Sequence, residues 1–461
     1  GVMNVIINES LYDSDFVKNH TEGFTELSER VQEYSPEKVE GITGVDKETI
    51  RKFAAIYADS KPSFIYAGSG MQHHTNGGMM IRTIACLPGL VGAWKHPGGG
   101  MFYPTSEAFP IQWDILEGND LCPGSPRSIN MNRLGHTLLH EDPGIYGLFV
   151  YNSNPAAVLF NQRKVIAGLQ REDLFTVVHE QLLTDTTRYA DIVLPATTEF
   201  EHTDLHYSYF HLSLQLNEPV IEPLGESRPN IDTFNTLAKS MGFQDSCFDD
   251  TAIDTINSAL GVDSSYLRGI TLERLRDEGA IRLNMPGEFH IPYRDLKFYT
   301  PSGKIEFYSD KMKGDGYDPL PAHIPIGEGP LTSPDLYEKY PVYLLTPSAK
   351  SFLNSNFANI REQGSEEEPI LELNSLDAGR RGIKTGDKVR VFNERGECAL
   401  MASVGDYLKE GVAINKGIWW NSLSPGGCNS NQTTPDRLAD MGGGSTYNTN
   451  LVQIEKVNGP V

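Results

Sequence analysis

Between residues 146 and 197 the chain reads YGLFVY, then NSNPA, then VLFNQRKVIAGLQ, LFTVVHE and ADIVLPAT. Short apolar runs that alternate with a turn and an amphipathic stretch are the pattern of parallel strands buried on both faces, with helices as crossovers. The middle of the chain is therefore expected to be α/β. An earlier stretch repeats the order: SFIYAG reads as a strand, GSGMQHHTNGG as a glycine-rich loop, GGMMIRTIACLPGLVGAW as a helix interrupted at Pro88, and HPGGG as a tight turn.

The flanks read differently. GVMNVIINESLYDSDFV at the start has the pattern of one amphipathic helix, and VDKETIRKFAAIYADS that of another, with Asp46 as N-cap and Ile50, Phe53, Ala54 and Tyr57 on one face. From Gly242 to about Tyr340 the pattern weakens into irregular connecting structure. Only SYLRGITLERLRDEG looks helical there, and a hairpin arm is expected at TPSGKIEFYS. After that, YPVYLLTP, EPILEL, DKVRVFNERGECALMASV and GVAINKGIWW are short strands divided by turns, with one helix, NSLDAGRRG, stopping at Gly382. A compact β-barrel fits this end; Ser365–Pro369 reads as a solvated loop. At roughly 100–200 residues per domain, 461 residues make two to four domains. The expected boundaries are 1–142 (α/β), 143–335 (α/β, nucleotide-binding, with the irregular connection) and 336–461 (barrel).

A net charge of −22 without a basic cluster disfavours polynucleotides, yet backbone amides and one or two arginines can still bind a small phosphate. No apolar run is long enough for a membrane helix. Five dispersed cysteines, with no C-x-x-C pair, read as reduced thiols in a cytoplasmic chain rather than as a zinc or iron–sulfur site. The absence of a start Met or signal peptide reads as a fragment or processed chain.

Three groups of residues could carry chemistry. The loop Gly68–Gly78 is either a structural turn or an anion cradle at a helix N-terminus, and the rings of His73 and His74 diverge too far to share a metal. Asn152, Asn154 and Pro155 end one strand and Glu180 ends the next, the placement of a carboxylate that holds a ribose hydroxyl, although G-x-G-x-x-G is missing. Thr184, Asp185 and Thr186 follow, as ligands at a strand end or as turn caps. In the barrel, TPSAKSFLNSNFAN, SNQTT and GGGSTYNTN offer uncharged amides and hydroxyls suited to a large polar ligand, or are ordinary turns. Glu199, Glu201, His202, Asp204, His206 and His211 match no metal spacing and read as a solvated loop facing substrate or partner.

Taken in order, GSGMQHHTNGG with HPGGG, NSNPA, LTDTTRYADIVLPATTEFEH, TPSGKIEFYS and NSLDAGRRGIKTGDKVRVFNERGE resemble the molybdopterin oxidoreductases of the dimethyl sulfoxide reductase family, which includes formate dehydrogenases, nitrate reductases and thiosulfate reductases. The resemblance spans essentially the whole chain. It implies Rossmann-like parallel-sheet domains followed by a double-psi β-barrel, and a molybdenum or tungsten bis(pyranopterin guanine dinucleotide) cofactor that carries two-electron chemistry on a small substrate. It places Gly70, Gln72, His74, Asn76 and Gly77 on the pterin side, with His74 at the catalytic position. Asn152, Asn154, Pro155, Glu180, Thr184 and Asp185 fall at one guanine nucleotide, and Ser351, Asn354, Asn356, Asn431 and Asn448 on the barrel's side of the dinucleotides. The metal ligand and any 4Fe-4S cluster of such enzymes lie upstream of the segment matching Gly1, so no metal ligand is expected here. Partners implied are that upstream region and an iron–sulfur electron-transfer subunit. A non-redox hydratase or hydroxyl transferase of the same fold, or an inactive cofactor-binding scaffold, is the alternative.

Overall fold

The structure is a computed structural model that describes residues 1–103, 111, 116–119, 121–122, 124–208, 211–285, 291–357, 359–360 and 369–457. The loop read at Ser365–Pro369 lies outside these but for Pro369. In chain order the strands are β1 (Thr21–Glu22), β2 (Phe64–Tyr66), β3 (Gly100–Phe102), β4 (Gly147–Tyr151), β5 (Phe175–Glu180), β6 (Ile192–Pro195), β7 (Asp204–His206) and β8 (Ser213–Asn217). They continue with β9 (Ala280–Arg282), β10 (Ile305–Glu306), β11 (Val342–Leu345), β12 (Ile370–Asn374), β13 (Lys388–Phe392), β14 (Glu397–Gly405), β15 (Val412–Asn415) and β16 (Leu451–Lys456). Two compact units result: residues 1–104, 285–326 and 439–444 form the first, and the remainder the second.

In the first unit, helices surround a core that includes Val5, Ile6, Leu27, Ala54, Leu90 and Phe307. The opening segment is two helices, Val2–Asn8 and Ser14–His20, rather than one. Asp13 makes the break, because its carboxylate accepts from the Phe16 amide and starts the second helix as an N-cap. The helix Lys47–Asp59 begins at Asp46 as expected, but Phe53 is half exposed, so the buried stripe is Ile50, Ala54 and Tyr57. Pro88 does not stop the helix Gly77–Leu90. It sits one turn from the end, where the missing N–H removes one bond and Val91 still closes the helix on the Leu87 carbonyl. The hairpin arm is also absent: Gly303 makes the expected turn, but β10 pairs in parallel with β1, which draws Phe307 into the core.

The second unit holds the parallel sheet β4-β5-β6, with central β5 the most buried strand. The crossover after β4 is two short helices, Pro155–Val158 and Gln162–Leu169. Much of the supposedly irregular region is ordered. The helix Ala252–Leu260 starts with a reciprocal Thr251–Asp254 capping box, the helix Leu272–Glu278 follows, and β7-β8-β9 form an antiparallel sheet. The Glu199–His211 segment is correspondingly not a plain solvated loop. His206 lies on β7, and Glu201 is a buried cap whose carboxylate accepts from the amides of Thr198 and Leu224. Those backbone amides, then the Thr198 hydroxyl, hold it below the usual carboxylate range.

The last strands close into a six-stranded barrel in the order β11-β15-β12-β14-β13-β16, with β11–β15 and β12–β14 parallel. Alternate residues such as Leu371, Leu373, Val389 and Val391 fill its interior. The helix Ser375–Arg380 ends in a Schellman motif: Gly382 takes φ 64°, its amide donates to Gly379, and the Ile383 amide reaches back to the Ala378 carbonyl. All five cysteines are free. Burial pushes the Cys398 thiol up to about 12, whereas Cys122 is exposed. Iodoacetamide at pH 8 is therefore expected to alkylate Cys122 first and Cys398 last, as read by peptide mass spectrometry.

Candidate cofactor-binding site

In the first unit the glycine-rich loop is a single 3-10 turn, Ser69–Gln72, that runs into the helix Gly77–Leu90. Gly77 allows this, because a Cβ there would lie 2.5 Å from the Gln72 carbonyl oxygen. A Cβ at Gly70 would meet nothing. The helix N-terminus is not open to an outside anion. Asp440 already fills it, its two carboxylate oxygens accepting from the amides of Gly78 (2.7 Å) and Met79 (3.1 Å). What the loop leaves unused are side-chain atoms. Asn76 donates to the Ile324 carbonyl, but its Oδ1 is buried without a partner among the described residues, as is Nδ1 of His74. Burial, then the neighbouring His73, lowers the basicity of His74. Gln72 is exposed and accepts from the Tyr103 hydroxyl.

In the second unit, the ends of β4 and β5 meet loops of the barrel. Asn152 adopts the left-handed conformation (φ 51°) that asparagine tolerates, and Pro155 opens the helix that follows. Oδ1 of buried Asn154 accepts from the amide and hydroxyl of Thr186, whose hydroxyl in turn receives the Ala156 amide. Asp185 turns its carboxylate to the barrel and accepts from the backbone amides of Asn421 (2.6 Å) and Ser422 (3.1 Å). Three barrel asparagines answer in the other direction. Asn421 donates to the Ala156 carbonyl, Asn429 to Ala157, and Asn431 to Ala157 and Val158, which covers the open carbonyl end of the short helix. Glu180 is half buried at the end of β5, and loss of hydration raises its carboxyl above the ordinary range.

The barrel loop with Ser351, Asn354 and Asn356 is exposed at those three positions but fixed from beneath, by Phe352 edge-on to Trp419 at 4.8 Å and by Trp420 donating to the Ser355 carbonyl. Asn448 accepts from the Thr346 amide. The expected residues thus divide. Asn154, Asp185 and Asn431 belong to one bonded network, Ser351, Asn354 and Asn356 border it through Trp419 and Trp420, and Gly70 to Gly77 lie in the first unit.

That network has unspent capacity. Nδ2 of Asn154 and Oγ1 of Thr184 on the sheet side, and Oγ1 of Thr346, Nε1 of Trp419, Oδ1 of Asn421 and Oγ of Ser430 on the barrel side, are buried with no partner among the described residues. Each such atom costs about 1–3 kcal/mol unless a bound group or water completes it. The set mixes donors and acceptors and carries no charge, which suits a guanine edge with its sugar hydroxyls. The sequence marks out the loops that contain Thr346 and Ser430 without marking those two residues, places Trp419 in a strand run, and carries no signal for Asn421. Among the described residues, no cluster of His, Cys, Asp and Glu could hold a metal ion.

The ends of the parallel α/β sheet thus meet a closed barrel, with buried polar atoms left unsatisfied on both sides among the described residues. The sequence matches the profile described as molybdopterin oxidoreductase over residues 1–240 and that of the molydopterin dinucleotide binding domain over residues 342–451. The chain belongs to the molybdopterin oxidoreductase family, and its matched domains are those that bind a molybdenum or tungsten bis(pyranopterin guanine dinucleotide). It is 44% identical to the probable oxidoreductase YoaE of Bacillus subtilis, over 99% of this chain and 66% of that protein. Dimethyl sulfoxide reductase DmsA of Escherichia coli is 29% identical, over 99% of this chain and 63% of its own length. Among solved structures, the acetylene hydratase of Pelobacter acetylenicus matches with a TM-score of 0.79 at 25% identity, covering 99% of this chain and 69% of the other. The chain thus spans about two thirds of the length of the curated relatives it matches first. Among the described residues no helix is long and apolar enough to cross a membrane.

Proposed function

We propose that this chain is the cofactor-holding part of a molybdenum or tungsten oxidoreductase that performs two-electron redox chemistry on a small substrate. The observation that carries the reading is the set of buried, unpartnered polar atoms where the β4-β5-β6 sheet meets the barrel. When bound, the cofactor supplies the electron-accepting metal centre; the protein orients it and shields it from water. Asn154 Nδ2, Thr184 Oγ1, Trp419 Nε1 and Asn421 Oδ1 would hold a guanine nucleotide, and Glu180 would accept from a ribose hydroxyl. Asp185 and Asn431 act indirectly, by fixing the two walls against each other. His74, with Nδ1 unengaged, can hold or pass a proton at that atom.

The protein, purified and hydrolysed, is expected to release molybdenum or tungsten together with guanine nucleotide, and before hydrolysis to exchange electrons with a redox dye. Recovery of neither metal nor nucleotide would overturn the reading. Bound cofactor without any dye reaction would shift it to hydration, the alternative that similarity to acetylene hydratase favours. His74→Ala should lower cofactor content or turnover by roughly tenfold, the loss of a buried hydrogen bond, whereas His73→Ala should leave both near wild type.

A further inference from the structure

The second unit carries a concavity of about 570 Å³ that shares no lining residue with the unsatisfied atoms described above. Its charges are mostly neutralised within the wall. Arg395 and buried Glu328 form a two-pronged ion pair at 2.8 and 3.1 Å, and Lys164 meets Asp436 at 2.8 Å. Two guanidinium groups remain. Arg163, at the start of the helix Gln162–Leu169, donates to the Arg395 carbonyl at 3.4 Å, and Arg437 to the Gly327 carbonyl at 3.0 Å. Both arginines are exposed, and neither has a carboxylate within ion-pair distance among the described residues. Glu394, the remaining acidic lining residue, lies 3.4 Å from Arg395. Leu139, Ala167, Leu336 and Pro435 supply an apolar wall.

In a chain of net charge −22, the lining of this concavity is cationic on balance, with Arg163, Lys164, Arg395 and Arg437 against Glu328, Glu394 and Asp436. A guanidinium presents a planar fork of donors that matches the oxygens of a phosphate or carboxylate, and it keeps its charge at every working pH. We propose that this pocket binds a small oxyanion carried on an apolar body, the oxygens between Arg163 and Arg437 and the body against Leu139 and Leu336. The site is separate from the dinucleotide cofactor and independent of the reaction assigned to it.

Isothermal titration of the cofactor-loaded full-length protein at low ionic strength would test it, with phenyl phosphate, benzoate and inorganic phosphate as probes. Phenyl phosphate or benzoate is expected to bind at one site, more tightly than inorganic phosphate; which of the two wins identifies the headgroup. Arg163→Ala and Arg437→Ala should each weaken binding by about tenfold while leaving metal content and the melting temperature unchanged. Absence of saturable binding, equal affinity for inorganic phosphate, or binding unaffected in both variants would overturn the proposal. Since both side chains are exposed, loss of binding with an altered melt in one variant is checked against the other, and loss only with altered melts in both also counts against it.

Discussion

Asp185→Ala is expected to destabilise the second unit by about 2–4 kcal/mol and to strip the protein of guanine nucleotide. The carboxylate is buried, and both of its oxygens are committed to main-chain amides of the barrel, at Asn421 and Ser422. Alanine leaves the buried Asn421 amide with no acceptor, at a cost of about 1–3 kcal/mol and more because the lost partner was charged, while the amide of exposed Ser422 can turn to water. The consequence is also geometric. Asn421 is held at its amide by Asp185 and, through its side chain, at the Ala156 carbonyl, so its unpaired Oδ1 is aimed only while both bonds persist. Asp185→Asn keeps one acceptor and turns an NH₂ toward a donor, which should cost about half as much. Urea unfolding followed by tryptophan fluorescence reads the change, since Trp419 and Trp420 adjoin the contact. A stable Asp185→Ala variant with full nucleotide content would mean that the carboxylate is neither a clamp nor a ligand.

The same residue shows how far sequence reading reached. The position of Thr184 and Asp185 at a strand end, as ligands or as turn caps, is legible because it is local information, fixed by the apolar run that precedes them. Their division of labour was not legible, because Asp185's partners are 236 and 237 positions away along the chain. Asp440 is a sharper case. The strand, glycine loop and helix order reads as an anion cradle or a structural turn at the N-terminus of Gly77–Leu90, and the group found there is a carboxylate of this same chain, 362 residues on. The resemblance places Asn431 on the barrel's side of the dinucleotides, and its side-chain NH₂ donates to the Ala157 and Val158 carbonyls. Periodicity gave the parallel sheet and most barrel strands because side-chain alternation is written in consecutive residues. It failed at TPSGKIEFYS, where the turn was right but the strand found its partner at Thr21–Glu22 instead of next door. It also failed at Ala252–Leu260, whose start was marked by Thr251 and Asp254 at capping-box spacing.

The hairpin tip between β13 and β14 was read only as a turn, and it holds the other large effect. Arg395 there reaches inward rather than to solvent. It pairs in two-pronged fashion with Glu328, which is 1% exposed, and donates to the Thr433 carbonyl and to Asn450 Oδ1. Glu328 also accepts the Leu451 amide, so the pair ties the tip to the start of β16 and to the segment before β11. Forming a buried pair gains little net free energy, because desolvation offsets attraction. Removing one member is different, since it leaves an uncompensated charge and costs about 3–5 kcal/mol. Arg395→Met is therefore expected to lower the urea midpoint of the second unit strongly, and Glu328→Leu similarly. Combining them should cost less than the sum of the two, and less than Arg395→Met alone, because no charge is then left in the interior. Additive losses in that cycle would show that Arg395 and Glu328 act as separate anchors, held by Thr433, Asn450 and Leu451 rather than by each other.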